Sequence, residues 1–206
     1  MNIGIDKFGL AIPEYFLDIR DLAVARNENA NKFLKGLLQL EMSVSPVTQD
    51  IVTLGAAAAH EFLTEEDRKK IDMIIIGTET GVDQSKSASV FIHNLLGIQP
   101  FARCVEIKEA CYGATAGLDF AKNHIEKNPD SYVLLIAADI AKYGIETSGE
   151  STQGSGSCAM LIKKDPEILI LNNDNICQTR DIMDFWRPNY SDFPIVDGHF
   201  STKQYL

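Results

Sequence analysis

The sequence predicts an α/β fold built on a mainly parallel sheet. Residues 71–77, 132–138 and 158–162 are short apolar runs, which are typical of strands covered on both faces, and the first run is rich in β-branched residues. Between the first two runs lies the strongest helical pattern of the chain, in which Ala114, Leu118, Ala121 and Ile125 recur at helical spacing. Strands that alternate with helices predict parallel strands joined by helical crossovers.

The first third of the chain predicts one strand and two helices. An extended segment opens the chain and stops at Pro13, because proline cannot donate a hydrogen bond to a strand ladder. Asp18 occupies an N-cap position for a short helix that the polar run 27–31 ends. Ser45 and Pro46 predict the cap and first turn of a second helix, which continues through residues 51–62.

The next predicted elements continue the alternation of helices and strands, and the pattern then weakens. Residues 86–96 predict a helix closed by Gly97, and residues 102–107 predict a strand. The strong helix begins near Tyr112 and ends before Pro129. After residue 168 the pattern weakens, and we expect residues 181–206 to be rich in loops.

Composition excludes several classes of function. The 206 residues include 29 acidic and 19 basic side chains, and a net charge of -10 repels nucleic acids. We find neither an apolar run long enough for a bilayer nor a secretory signal, so we expect no membrane partner and a cytoplasmic protein. The four cysteines predict reduced thiols rather than a disulfide framework, and the scattered histidines predict no metal site.

Cys111 is the candidate nucleophile. It lies between a predicted strand and the start of the strong helix, where the partial positive charge of the helix N-terminus favours the reactive thiolate. Such a thiolate can accept an acyl group. The alternative is a small buried apolar side chain. No histidine partner for Cys111 is evident in the sequence.

Glu79 is the candidate acid and base. It follows a buried strand at its carboxyl end, where functional groups of α/β proteins gather, and partial burial there suits a carboxyl to proton transfer. The alternative is a solvated loop carboxylate. Residues 149–157 form a glycine- and serine-rich segment without a Walker or dinucleotide motif, so it is either a backbone cradle for a ligand or a tight connection.

Six blocks together carry a resemblance to a known family. The sequence resembles the 3-hydroxy-3-methylglutaryl-coenzyme A synthases, especially the bacterial ones, in residues 77–80, 108–115, 137–143, 152–154, 184–188 and 196–198. The resemblance implies a thiolase-like fold, with helices on both faces of a mainly parallel mixed sheet that forms one half of the layered thiolase architecture. It also implies an amino-terminal domain over residues 1–167 and the start of a second half over residues 168–206.

The resemblance assigns chemistry to both candidates. In that family the cysteine that matches Cys111 takes the acetyl group of acetyl-CoA as a thioester. The glutamate that matches Glu79 removes a methyl proton, so that the carbanion attacks acetoacetyl-CoA and water releases 3-hydroxy-3-methylglutaryl-CoA for the mevalonate route. The coenzyme A thioesters are substrates and no cofactor is implied. The family's homodimers imply a dimer here.

The resemblance also implies the binding residues, together with some departures from the family pattern. Asn29, Ala30 and Lys32 match coenzyme A contacts, and Lys32 would supply positive charge in an acidic protein. The acyl pocket is matched by Tyr143, Thr152, Phe185 and Ser201. Leu38 stands where the family usually has glycine, and Ser151 stands where it commonly has proline. Asn29 stands where related chains frequently have an acidic residue. The family's catalytic histidine belongs to a second half, so we expect this chain to accept acyl groups without completing the condensation.

Three alternatives remain open from the sequence. A relative that adds β-branches during polyketide assembly would differ mainly in using a carrier-protein donor. A β-ketoacyl synthase would rely on histidine with histidine or asparagine, and Glu79 argues against that class. A remnant or assembly module would fold and bind but would not catalyse.

Overall fold

The computed structural model describes residues 1–205 and divides into two compact units. The first unit contains Met1–Tyr15, Ser45–Ile140 and Ser155–Asn172, and the second contains Phe16–Val44, Ala141–Gly154 and the residues from Asn173 onward. Each unit therefore collects segments that are distant in sequence. The boundary expected after residue 167 is a different division of the chain, and it stays a prediction.

Helices and strands alternate strictly between residues 65 and 141. In order they are β1 (Ile3–Ala11), β2 (Tyr15–Asp18), α1 (Ile19–Ala25), α2 (Ala30–Leu34), β3 (Glu41–Val44), α3 (Ile51–His60), α4 (Glu65–Lys70), β4 (Ile71–Gly77), α5 (Ala88–Leu96), β5 (Arg103–Ile107), α6 (Gly113–Lys127), β6 (Tyr132–Ala141), β7 (Gly154–Lys164), β8 (Leu169–Ile170), β9 (Phe185–Trp186), β10 (Ile195–Val196) and α7 (Gly198–Tyr205). A short 3-10 turn, Glu150–Thr152, precedes β7.

A six-stranded mixed sheet forms the centre of the first unit. Its strand order is β5-β4-β6-β7-β1-β8. β4 pairs in parallel with both β5 and β6, whereas β1 pairs antiparallel with β7 and β8. The predicted α/β fold with a mixed sheet is confirmed. The parallel half contains the two strands whose carboxyl ends lead to Glu79 and Cys111.

Helices cover both faces of this sheet, as the resemblance implies. Alternate residues of a strand point to opposite faces. On β4, Ile74 and Ile76 pack in one buried cluster with α3 and α5, while Ile75 packs in a second cluster with Ala121 and Ile125 of α6. All five side chains are fully buried. This double coverage explains why β4 and β6 are continuously apolar in sequence.

Two of the predicted helix caps are confirmed and one is wrong. Asp18 caps α1, and Gly97 ends α5 in the left-handed conformation at φ 61°. Ser45 and Pro46 do not start a helix. α3 begins instead behind Asp50, which accepts a hydrogen bond from the Thr53 backbone while the Thr53 hydroxyl bonds to the Asp50 backbone. This reciprocal cap satisfies two backbone donors, and Pro46 belongs to the turn before it.

Three short helices were not predicted because they lack an apolar period. α2 has five residues and α4 has six, all of them charged in α4. α4 is stabilised by the reciprocal cap between Thr64 and Asp67 and by acidic and basic residues at its matching ends. α7 lies in the region expected to be rich in loops.

The second unit has a small core of its own. α1 and α2 pack around the buried side chains of Ile19, Leu22, Ala23 and Phe33. β2 pairs with β3, and β9 pairs antiparallel with β10, each as a two-stranded sheet.

Two glycines allow α6 to approach the carboxyl ends of β4 and β5. A methyl group on Gly77 would collide with the backbone nitrogen of Ala114, and one on Gly113 would lie 2.9 Å from the carbonyl oxygen of Ile107. The same junction contains a backbone hydrogen bond of 3.2 Å from Thr78 to Ile107. The start of α6 therefore lies directly against the edge of the sheet at which the candidate residues follow their strands.

We expect Gly77→Ala to destabilise the protein by about 1–3 kcal/mol or more, because the new methyl group meets backbone that cannot rotate away. Gly156→Ala is the matched control, since its methyl group would make only ordinary contacts, at 3.5 Å or more. Urea denaturation of both variants measures the difference. Equal stability of the two variants would contradict this account of the junction.

Candidate functional site

Cys111 lies in the turn that connects β5 to α6. The turn is closed by a hydrogen bond of 2.6 Å from the Gly113 backbone nitrogen to the Glu109 carbonyl oxygen. Cys111 is exposed to solvent, immediately before the first turn of a fifteen-residue helix. It thus lies where the partial positive charge of a helix N-terminus is concentrated, as expected from the sequence. Exposure makes the sulfur accessible to a substrate.

The other cysteines of the first unit have a different environment. Cys104 of β5 and Cys158 of β7 are half-buried, and burial raises the pKa of both thiols above its ordinary value. At neutral pH they therefore remain protonated and poorly nucleophilic. Cys177, in the second unit, is exposed. Accessibility separates Cys111 and Cys177 from the other two cysteines, and the start of α6 distinguishes Cys111 from Cys177.

Glu79 lies in a turn that is held by a single carboxylate oxygen. Asp139 Oδ1 accepts hydrogen bonds from the Thr78 hydroxyl at 2.8 Å and from the Glu79 backbone at 2.8 Å. The same oxygen accepts hydrogen bonds from the backbone N–H of Thr80 at 3.1 Å and from its hydroxyl at 2.7 Å. Four donors on one acceptor hold residues 78–80 in a defined conformation. Glu79 is half-buried there, directly after β4 as predicted.

Asp139 connects two neighbouring parallel strands. It belongs to β6, and the next residue, Ile140, donates its backbone N–H to the Thr80 hydroxyl at 3.1 Å. In the sequence, Asp139 lies within the family block of residues 137–143, and no local pattern there predicts a role for it. An aspartate within an otherwise apolar strand is unusual, but only the pairing of β4 with β6 shows which turn Asp139 holds.

Cys111 and Glu79 are both in the first unit and follow adjacent strands. Glu79 follows β4 and Cys111 follows β5, which is the parallel neighbour of β4. The contact between Gly77 and the start of α6 brings these two connections to the same edge of the sheet. This edge can present a nucleophilic thiol and a carboxyl group to one substrate.

The residues matched to coenzyme A contacts all lie in the second unit but have different roles. Lys32 lines a pocket of 720 Å³ and pairs with Glu28 at 3.1 Å. Asn29 caps α2 through its side chain, and Ala30 packs on the small core. The positive charge expected from Lys32 is therefore partly neutralised by Glu28.

The pocket near Lys32 combines apolar and charged side chains. It is formed by residues from α1, α2 and the following turn together with the segment 146–151. Leu22, Phe33 and Leu37 contribute apolar surface. Among its lining residues are two cations and three carboxylates: Arg26, Lys32, Glu28, Glu146 and Glu150.

The four residues matched to the acyl pocket are also in the second unit. The rings of Tyr143 and Phe185 meet edge to face, with their centroids 6.3 Å apart. The Thr152 hydroxyl donates to the Gly149 carbonyl oxygen at 2.8 Å, and the Ser201 hydroxyl donates to Asp184 at 2.8 Å. The structure thus brings Tyr143 and Phe185 together, while Thr152 and Ser201 bond to their own local segments.

The described part of the chain, residues 1–205, lacks two features. No group of three or more His, Cys, Asp or Glu side chains in this range is arranged to hold a metal ion. Among the helices of the same residues, none is both long enough and apolar enough to cross a bilayer.

We expect Asp139→Ala to cost about 3 kcal/mol of stability, because it leaves the donors of the 78–80 turn without their charged acceptor. Asp139→Asn should cost less, since it keeps an acceptor but loses the charge. Hydrogen exchange of the Glu79 and Thr80 amides should accelerate in both variants. Asp130→Ala, at an exposed position, is the control, and unchanged amide protection in Asp139→Ala would rule out this role.

The comparisons with known proteins give one family. Residues 1–167 match the family model for the N-terminal part of hydroxymethylglutaryl-coenzyme A synthase. The hydroxymethylglutaryl-CoA synthase of Enterococcus faecalis is 54% identical over 206 residues, which are 100% of this chain and 54% of that protein. A crystal structure of an HMG-CoA synthase complexed with CoA has 62% sequence identity and a TM-score of 0.98. The match covers 100% of this chain and 53% of the crystallised chain.

A third relative acts in polyketide biosynthesis. The 3-hydroxy-3-methylglutaryl-ACP synthase PksG of Bacillus subtilis is 31% identical over 222 residues, covering 100% of this chain and 52% of that protein. The chain thus spans about half the length of these relatives. The structural match also confirms the expected thiolase-like fold. On the family model and these identities, the chain belongs to the hydroxymethylglutaryl-coenzyme A synthase family.

Proposed function

We propose that the protein acts as a hydroxymethylglutaryl-CoA synthase, which condenses acetyl-CoA with acetoacetyl-CoA and water to give 3-hydroxy-3-methylglutaryl-CoA and free coenzyme A. Within it, this chain carries the acyl-accepting chemistry. The observation that carries the proposal is the edge of the sheet where Cys111, exposed at the start of α6, and the held turn of Glu79 follow adjacent parallel strands.

Cys111 is the acyl acceptor in this proposal. Its sulfur attacks the thioester carbonyl of acetyl-CoA, the coenzyme A thiolate leaves, and an acetyl thioester remains on the protein. The exposed sulfur and the adjacent helix N-terminus support this role, because the partial positive charge of the helix N-terminus stabilises a developing oxyanion. The raised pKa values of Cys104 and Cys158 make those thiols poor competitors.

Glu79 is the acid and base in this proposal. It removes a proton from the methyl group of the acetyl thioester, and the carbanion then adds to the ketone of acetoacetyl-CoA. Water finally cleaves the thioester and releases the product. Abstraction of such a weakly acidic proton needs a base in a fixed position. The four hydrogen bonds to Asp139 hold the turn that contains Glu79.

The pocket beside Lys32 is our proposed site for coenzyme A. The solved relative that was crystallised with CoA covers all of this chain at 62% identity. The family resemblance implies that Lys32 contacts coenzyme A. The cavity of 720 Å³ is large enough for part of a coenzyme A molecule, and its apolar and polar side chains suit a mixed ligand. A place in the mevalonate route, a cytoplasmic location, a homodimer and the use of no cofactor belong to the same proposal.

The acyl-accepting step can be tested by intact mass after incubation with acetyl-CoA. We expect a mass gain of one acetyl group in the protein and in Glu79→Gln, since acylation precedes proton abstraction. Cys111→Ala should gain none. Cys177→Ala, which removes the other exposed cysteine, should be acetylated normally. Acetylation that survives in Cys111→Ala would refute the assignment of the nucleophile, and no adduct in the unmodified protein would favour a non-catalytic module.

The polyketide-type synthase is the second candidate function, because PksG matches the whole chain at 31% identity. We expect acetyl-CoA to acetylate Cys111 at least about tenfold faster than an acetyl-loaded acyl carrier protein, given the 54% identity to the Enterococcus faecalis enzyme. Rates of acetylation with the two donors, measured on the same protein preparation, decide between them. Faster transfer from the carrier protein would replace our proposal with the second candidate.

A further inference from the structure

An ion pair connects two distant segments of the second unit. Arg26 Nε donates to Glu150 Oε2 at 2.8 Å, and Arg26 Nη2 donates to Glu150 Oε1 at 2.7 Å. The two residues are 124 positions apart in sequence. This fork-to-fork geometry is the strongest arrangement of an arginine and a carboxylate, and it fixes orientation as well as distance.

Both partners are largely withdrawn from solvent. The Glu150 side chain is 10% exposed and that of Arg26 is 28% exposed. The hydrogen bond from Arg26 is the main reason why the pKa of Glu150 lies below its ordinary value, and the bond to Glu150 raises the pKa of Arg26. The pair therefore stays ionised throughout the neutral range. Loss of either partner would leave a poorly solvated charge.

The pair also orders the segment that contains Glu150. Glu150 Oε2 accepts the Glu146 backbone N–H at 3.0 Å, and the Glu150 backbone N–H donates to the Thr147 carbonyl oxygen at 3.2 Å. Glu146 has a positive φ of 60°, a conformation that costs free energy in a residue with a side chain. The carboxylate of Glu150 thus supports a turn that would otherwise be strained.

These two segments form two walls of the pocket beside Lys32. Arg26 belongs to the wall formed by residues 22–37, and Glu150 belongs to the wall formed by residues 146–151. Arg26 Nε and Nη2 both bond to Glu150, so this side chain links the two walls of the pocket.

We infer that the Arg26–Glu150 pair is a positioning element, which holds segment 146–151 against α1 and α2 and thereby sets the affinity of the pocket for coenzyme A thioesters. The inference rests on the proposed function, which places coenzyme A in this pocket. Arg26 acts through Glu150 and the segment that Glu150 orders. Neither residue is a catalytic group.

The test measures binding of coenzyme A by calorimetry in Arg26→Met and Arg26→Lys. We expect the dissociation constant to rise by about tenfold or more in Arg26→Met, because the wall loses its fixed position. Arg26→Lys keeps the positive charge but cannot form both hydrogen bonds to Glu150, so the dissociation constant for coenzyme A should rise less in this variant. In acetylation assays, KM for acetyl-CoA should rise while the maximal rate stays close to that of the unmodified protein.

Lys7→Met provides the matched control. Lys7 pairs with Asp67 at 2.8 Å in the first unit, and the exposed fractions of the two side chains, 34% and 7%, are close to those of Arg26 and Glu150. Its loss should lower stability comparably in thermal unfolding while leaving the dissociation constant for coenzyme A unchanged. A purely structural role for Arg26 would make the two variants behave alike in both measurements.

The outcomes separate the inference from the proposed function. Normal binding by the unmodified protein with an unchanged dissociation constant in both Arg26 variants would overturn the inference alone. If Arg26→Met does not fold, the same criterion applies to Arg26→Lys. No binding of coenzyme A by the folded, unmodified protein would refute the proposed site, and the inference with it. Weaker binding in the Arg26 variants and normal binding in Lys7→Met would support both.

Discussion

The chemistry proposed for this protein depends on one close contact between a strand and a helix. At the carboxyl end of β4, Gly77 presents bare backbone to the backbone at the start of α6, and Gly113 does the same for the end of β5. A side chain at either position would force the helix away from the sheet. Because the helix is close, the turn that carries Cys111 lies at the sheet edge from which the Glu79 turn emerges.

Polar groups at that edge are organised by a single acceptor. The packed core of the first unit ends at Gly77, and the next three residues turn their backbone and hydroxyl donors toward Asp139. Buried donors need a partner, and a carboxylate oxygen can serve several of them at once. One side chain of β6 therefore positions the turn that follows the neighbouring strand, β4. The backbone of Glu79, the proposed base, is therefore held in a fixed position.

In the second unit, a side-chain ion pair connects segment 146–151 to the end of α1. Its apolar core is small, centred on α1 and α2, so packing alone contributes little to the position of the 146–151 segment. The Arg26–Glu150 pair supplies a directional link where apolar contacts are few. In the first unit backbone contact and a carboxylate position the chemistry, and in the second an ion pair shapes the proposed binding pocket. Each unit thus places polar bonds where its core ends.

The sequence by itself determined five of the six strands of the large sheet, the main helices and the two candidate residues. Apolar runs identified β4, β6 and β7, and helical spacing identified α6, because continuous burial and one-sided burial leave different periods in a sequence. Those periods also placed Glu79 and Cys111 at element junctions. The thiolase-like expectation came from the family blocks. Short polar helices such as α4 leave no such period, and the cap of α3 was misplaced because Ser45 and Pro46 imitate a cap that Asp50 and Thr53 supply.

Only the tertiary structure decided which residues act on each other. Asp139 and Thr80 are distant in sequence, as are Arg26 and Glu150, and nothing in local composition encodes their pairing. Local preferences depend on neighbours along the chain, whereas these bonds exist because strand order and packing bring remote segments within a few ångströms of each other. The sequence therefore located the candidate groups, and the fold determined what holds them in place.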